Sequence, residues 1–353
     1  MKLINKIFNN NTNNKLEMKS AFSNNDFTLS AGSSGDFESN KFSFASLAYE
    51  AYCNNVIANR CVNLIASNVS QVKFEIIKGD KRGRVTNLLA NPNIDSCFAE
   101  IISQLVSYYL IAGEAYLLAI RGINNEIAGL QIIRPNLVQI KRNSRMLKTA
   151  YVIEGQTPIN IKINPLNGSS DLFVFKSFNP LSDDNGISQI EAAITSIMQH
   201  NLASKWNQSL LKNSARPSGI LTIKNGTFLT DAQFKNLKEQ VDYCFSGAKN
   251  SGRPILLEGG MEWKDTGLSP KDMDFLESKN MAAREIALAL GVPPQLLGIP
   301  GDNKFSNYSE ARKSFWQETI NPLAIQLAAK LSTWFSLLLA ENIKIEAIER
   351  SDV

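Results

Sequence analysis

The chain has 353 residues, 44% of them hydrophobic and 20% charged, which is enough apolar content for one to three domain cores and too much for a disordered protein. Its 37 basic and 33 acidic residues leave a formal charge of +4, short of the basic excess of a protein that grips duplex DNA through many phosphates. Four cysteines (Cys53, Cys61, Cys97, Cys244) lack CxxC pairing, so neither a zinc site nor a disulfide framework is indicated and a reducing compartment is the simplest context.

Residues 1–40 are rich in Asn, Ser and Gly and are expected to form a flexible arm, because they cannot bury enough apolar surface to offset the entropy of ordering. No apolar core of a secretory signal follows the first lysines, so export is not expected. A helical spacing from Ala45 to Val69 leads into an alternating strand, Val72 to Ile77. Cys53 and Cys61 on that helix read as small buried hydrophobes. A second helix, Cys97 to Ala112, follows the Asn91-Pro92-Asn93 turn. Short strands come next at Ala115–Ile120, Gly129–Arg134, Ala150–Glu154, Ile159–Ile163 and Leu172–Lys176, so the first 180 residues or so are α+β.

A polar loop ends at Ser188, which with Glu191 makes a capping box for a long helix reaching about Asn213. A compact insert follows, with strands at Gly219–Ile223 and Pro254–Leu257 and a helix opened by Thr230 with Gln233 at the reciprocal position. Ser269, Pro270 and Asp272 open another helix, which Gly291 and the Pro293-Pro294 pair bring to an end. The loop Gly298–Ser306 has no periodicity and reads as exposed backbone. Asn307, with Glu310 three residues on, is expected to cap a last helix carrying Phe315, Trp316, Ile320, Leu323, Leu327 and Leu331. The apolar run Thr333–Ala340 is too short to span a bilayer and reads as a packing helix.

Chemistry-bearing candidates are few. His200 is the one histidine, and neither GxSxG nor HExxH accompanies it, so it reads as structural. The segment Gly247–Pro254 approaches a phosphate-binding loop, but Arg253 replaces the lysine and Pro254 supplies neither hydroxyl nor N–H. No spacing of acids suggests a two-metal nuclease. The cluster Lys78, Asp80, Lys81, Arg82, Arg84 is mixed in sign and reads as a solvated turn. Lys141, Arg142, Arg145 and Lys148 form a purely basic cluster, of which Lys141, Arg142 and Arg145 are candidate phosphate contacts.

Several segments together resemble one family. The run EIALALGVPPQLLG (Glu285–Gly298), then SNYSEA (Ser306–Ala311) and FWQETINPLA (Phe315–Ala324), is similar to the portal, or head-to-tail connector, proteins of long-tailed bacteriophages. YYLIAGEAYLLAI (Tyr108–Ile120) is similar to that family's Gly-Asn-Ala-Tyr segment with Glu114 in place of Asn. GISQIEAAITSI (Gly186–Ile197) and LLKNSARPSGIL (Leu210–Leu221) match the next block, and the order of all blocks fits over residues 45–340 or so.

The resemblance implies an α+β portal-type subunit: arm 1–40, α/β wing 41–186, stem helix 187–213, small α/β clip 214–267, stem helix 268–297, tunnel loop 298–306 and a long wing/crown helix 307–353 that stops short of the family's usual extent. It implies a closed ring, a dodecamer in the family, at one capsid vertex, assembled in the host cytoplasm, with no enzymatic activity, cofactor or metal and no membrane. Implied partners are large terminase, a head-tail adaptor, major capsid and scaffold proteins, and double-stranded DNA passing non-specifically through the channel. The tunnel loop would present Gly301, Asp302, Asn303, Lys304 and Phe305 to that DNA. A packaging ATPase or nuclease, or a smaller adaptor ring, is the alternative from another class.

Overall fold

The structure is a computed structural model that describes residues 42–81, 83–212, 219–223, 261–265, 275–299 and 305–348, with a few positions between 230 and 239. These residues belong to a compact unit beginning at Phe42. The N-terminal arm, the Gly247–Pro254 turn, Pro254–Leu257, Ser269, Pro270, Asp272, Arg82 and Cys244 lie outside them.

The expected first helix is broken. Helix α1 (Phe44–Leu47) runs into a π-helical turn, Ala48–Cys53, and helix α2 (Val56–Ser70) starts afresh after Asn54-Asn55. The break is a cap: Asn55 is extended, and its side chain accepts hydrogen bonds from the backbone N–H groups of Ile57 and Ala58. One consequence overturns an expectation, since Cys53 at the end of the π turn is exposed while Cys61 in α2 is fully buried. Strand β1 (Lys73–Lys78) follows, then helix α3 (Arg84–Ala90), which periodicity alone did not reveal. Asp80 explains it. Its carboxylate accepts from Val85 N at 3.0 Å, Thr86 N at 2.8 Å and Thr86 Oγ1 at 2.7 Å, so the acid of the mixed cluster is a buried helix cap. Burial alone would raise its pKa, but these bonds and one from Arg84 outweigh it and hold the carboxyl below its ordinary value.

Helix α4 (Phe98–Ala112) buries Ile101, Ile102, Leu105, Val106, Leu110 and Ile111, each contributing about 2 kcal/mol of transfer free energy. It ends at Gly113, whose φ of +76° suits glycine. Strands β2 (Glu114–Arg121), β3 (Ile127–Ile133) and β7 (Leu172–Lys176) form an antiparallel sheet in the order β3-β2-β7. Strands β4 (Val138–Arg142), β5 (Lys148–Ile153) and β6 (Ile159–Lys162) form a second, β4-β5-β6. Strand β4 was not expected, because its short Val138/Ile140 alternation runs into the basic cluster. Tyr116, Ile153, Ile161 and Leu172 pack together between the two sheets.

Ser188 caps as expected, accepting from the N–H groups of Ile190 and Glu191, but the helix it opens is two pieces, α5 (Gln189–Ala192) and α6 (Ile194–Lys212), parted at Ala193. Strand β8 (Gly219–Ile223) pairs antiparallel with β9 (Met261–Asp265), and Thr230 and Gln233 exchange the expected capping bonds. Helix α7 (Phe275–Ala289) packs along α6 and ends at Gly291, φ +66°.

The last helix departs from expectation twice. It opens at Phe305, not Asn307, so Asn307 lies inside the first turn and is not the cap. It also does not run to the end: α8 (Phe305–Phe315), a π turn (Trp316–Ile320) and α9 (Asn321–Leu339) stop at Ala340 in a left-handed conformation, and strand β10 (Lys344–Ile348) returns to pair with β1. Asn307–Leu339 is long and apolar enough to cross a bilayer by composition. Its Ile320, Ala324, Leu327, Ala328, Leu331 and Phe335 are nevertheless buried in the main core beside Ile65, Leu105 and Phe175.

Candidate functional site

Two polar junctions fix the start of α6. At the first, Gly113 O accepts from Ser177 N at 2.9 Å, and Ser177 Oγ, 3.0 Å from Gly113 O, donates to the nearer Ile187 O at 2.6 Å. Glu114 Oε2 accepts from Gly186 N at 3.1 Å, and Ser188 Oγ donates to Leu110 O at 2.8 Å while capping α5. The end of α4, strands β2 and β7 and the entry to α5 are thereby tied at one point. Gly186 is there for space: a Cβ on it would stand 2.0 Å from Gly113 O. Burial pushes the Glu114 carboxyl above its ordinary value, against hydrogen bonds from Gly186 and Tyr116 and the charges of Lys176 and Lys148.

The second junction is the buried trio Asn55, His200 and Asn201. Asn55 Nδ2 donates to Asn201 Oδ1 at 2.9 Å and faces His200 Nδ1 at 3.2 Å, and Asn201 Nδ2 donates to Glu50 O at 2.9 Å. Over the same turns α6 meets α7 through Ser196 Oγ to Glu285 Oε2 (2.5 Å) and Gln199 Nε2 to Ser278 Oγ (3.0 Å). His200 therefore has a structural place, as its isolation in the sequence implied.

The segment after α7 is anchored at its near end. Thr319 Oγ1, in the π turn, donates to Gly291 O at 2.6 Å, and Ile299 is buried. Gly301, Asp302, Asn303 and Lys304 lie outside the described residues, and Phe305 belongs to the first turn of α8 rather than to a loop.

The basic cluster is not purely basic in three dimensions. Arg142 pairs with Asp184 through both guanidinium Nη2 and Nε and donates to Met146 O, and Lys148 Nζ lies 3.1 Å from Asp184. Asp184 is held below its ordinary pKa chiefly by the bond from Arg142. Arg142 is thus committed to an internal ion pair and corrects its reading as a phosphate contact, while Lys141 and Arg145 remain exposed. Among the described residues no group of three or more His, Cys, Asp or Glu side chains could hold a metal. Two open grooves of about 410 and 350 Å³ flank Arg121 and Leu338, but Arg121 is spent on Asp171 (Nη2 to Oδ1, 2.6 Å) and no nucleophile–base pair lines them.

The family profile described as phage portal protein matches residues 57–350. The chain belongs to the phage portal family. An uncharacterized protein of Rickettsia bellii (strain RML369-C) is 41% identical over 305 residues, spanning 84% of this chain and 78% of that one. The portal protein of Escherichia phage T5 is 23% identical over 312 residues, 84% and 72% of the two chains. A chain in the neck of a native gene transfer agent particle, computed with C12 symmetry, superposes with a TM-score of 0.65 at 34% identity, over 88% of this chain and 84% of that one. The α+β fold is accordingly that of a portal subunit. Sequence reading found Ser188 and Gly291. It missed Asn55, Gly186 and Asp184, whose partners lie far along the chain; an Asn-Asn pair directly before an apolar periodic run was the one local signal for the Asn55 cap.

Proposed function

We propose that copies of this chain close into a portal ring at one vertex of a capsid, through which double-stranded DNA is packaged and released. Each subunit meets its neighbours through two different faces, and rotation closes the ring. Membership of the family over residues 57–350 carries this reading. The gene transfer agent neck computed with C12 symmetry supports twelve copies. Residues 41–186 serve as wing, 187–213 and 268–297 as stem helices, 214–267 as clip and 298–304 as tunnel loop, with Phe305 and Ser306 at the start of α8. The C-terminal part of the wing is a helix to Leu339 followed by β10, not a helix throughout. Large terminase and a head-tail adaptor dock in turn on the clip, and major capsid and scaffold proteins surround the wing. The chain acts as a structural channel and not as an enzyme.

In the tunnel loop, Lys304 is the one cation and Asp302 limits its pull on passing phosphates, so that the duplex is guided without being held. Of the basic cluster, Lys141 and Arg145 remain the candidates for phosphate contact. Electron microscopy of the purified protein should show a ring with a central channel; a compact monomer that hydrolyses ATP would overturn the reading. Deleting Gly301–Phe305 should leave rings assembled while heads fail to fill or to retain DNA. Normal filling by that mutant would remove these residues from the channel.

A further inference from the structure

The hydrogen bond between Asn55 and His200 has a fixed direction. Asn55 Oδ1 is occupied by Ile57 N and Ala58 N, both at 3.0 Å, so its Nδ2 must be the atom that faces α6. That amino group lies 2.9 Å from Asn201 Oδ1, 3.2 Å from His200 Nδ1 and 3.4 Å from Ile197 O. Asn201 cannot turn round to help, because its own Nδ2 is held by Glu50 O at 2.9 Å. A bare, accepting Nδ1 on His200 is the state that fits, which places the ring proton on Nε2.

We infer that His200 is the positioning residue of this seam: in its neutral, Nε2-protonated form it accepts from Asn55 and holds α6 on the first turn of α2, and protonation of Nδ1 releases the seam. Two donors would then oppose one another at 3.2 Å inside a buried site. The charged groups around the ring do not rescue the imidazolium. Lys279 on α7 is positive, and the Glu50 carboxylate approaches Asn201 Nδ2 at 3.5 Å instead. Burial and Lys279 both lower the pKa of His200 from 6.5, so the folded chain prefers the neutral ring. The seam's contribution to stability is therefore complete above pH 6.5 and is lost as pH falls through the lower folded value.

The chain's one histidine makes the test unambiguous. Deuterium exchange at the His200 ring carbon, read by mass spectrometry, gives its titration, and amide exchange across α2 and α6 reports the seam. The expected result is a midpoint below 6.5, with protection at the start of α6 falling by about tenfold between pH 7.5 and 5. His200→Asn puts a non-titrating acceptor where Nδ1 stands, and should keep protection at pH 7.5 while losing the acid response. His200→Phe, which strands the Asn55 donor, should lose protection at both pH values. A midpoint at or above 6.5, or an unchanged acid response in His200→Asn, would overturn the inference. Ring counts by electron microscopy at pH 7.5 report on the portal reading separately: wild-type protein without rings sinks that reading, while the exchange data still decide the seam.

Discussion

Gly186→Ala should be among the most damaging single-methyl additions to this chain. The added carbon would stand 2.0 Å from Gly113 O, 2.7 Å from the Gly113 carbonyl carbon and 2.9 Å from Ser177 Oγ. Two of these are backbone atoms that cannot swing aside, and Gly113 is itself confined, since its own Cβ position abuts the Ile187 carbonyl carbon at 2.4 Å. Relief requires strand β2 and the entry to α5 to separate, which also stretches the two hydrogen bonds by which Ser177 ties them, from its N to Gly113 O and from its Oγ to Ile187 O. Overpacking at about 1–3 kcal/mol together with two bonds at about 1 kcal/mol each gives a loss of about 3–5 kcal/mol. For a chain of 353 residues that is a fall in Tm of about 4–7 °C, read by scanning calorimetry of the purified protein. Gly298→Ala is the control: nothing lies within 4 Å of its Cβ position, so only the positive φ of +70° is at stake, a cost of about 1 kcal/mol. A Gly186→Ala protein melting within about 2 °C of wild type, or losing less than Gly298→Ala, would show that the junction is not the rigid tie described.

Charge and reactivity supply two more tests. Burial holds the Glu114 carboxyl above its ordinary pKa, so its ionised form costs stability; the cost is absent below the unfolded-state pKa and sets in as pH rises through the folded value. Glu114→Gln should therefore raise Tm at pH 7.5, with the advantage fading toward about pH 4, whereas an advantage independent of pH would assign the effect to something other than charge. Burial also pushes the Cys61 thiol up to about 12, while Cys53 and Cys97 are exposed. Iodoacetamide at about pH 8 should modify Cys53 and Cys97 in the folded protein and reach Cys61 only after denaturation, as peptide mass spectrometry would show.

Much of this protein was legible before any coordinates. The cap at Ser188, the stop at Gly291, the short strands β2, β5, β6 and β7, and the ordered segments shared with portal proteins are local patterns, and local patterns survive in a single sequence. Where an element depended on a distant partner, the reading failed or fell silent. Strand β10 exists because β1 offers it a ladder more than 260 residues away in sequence, and α3 exists because Asp80 turns inward to cap it. Arg142 looked free beside Lys141 and Arg145 until the fold brought Asp184 to it across 42 residues. The sequence by itself determined the cap at Ser188, the stop at Gly291, most of the strands and the family, because backbone sterics and side-chain spacing act over a few residues. Tertiary structure alone decided which polar groups are spent on one another, since hydrogen bonds and ion pairs are fixed by distances in space that the order of residues does not contain.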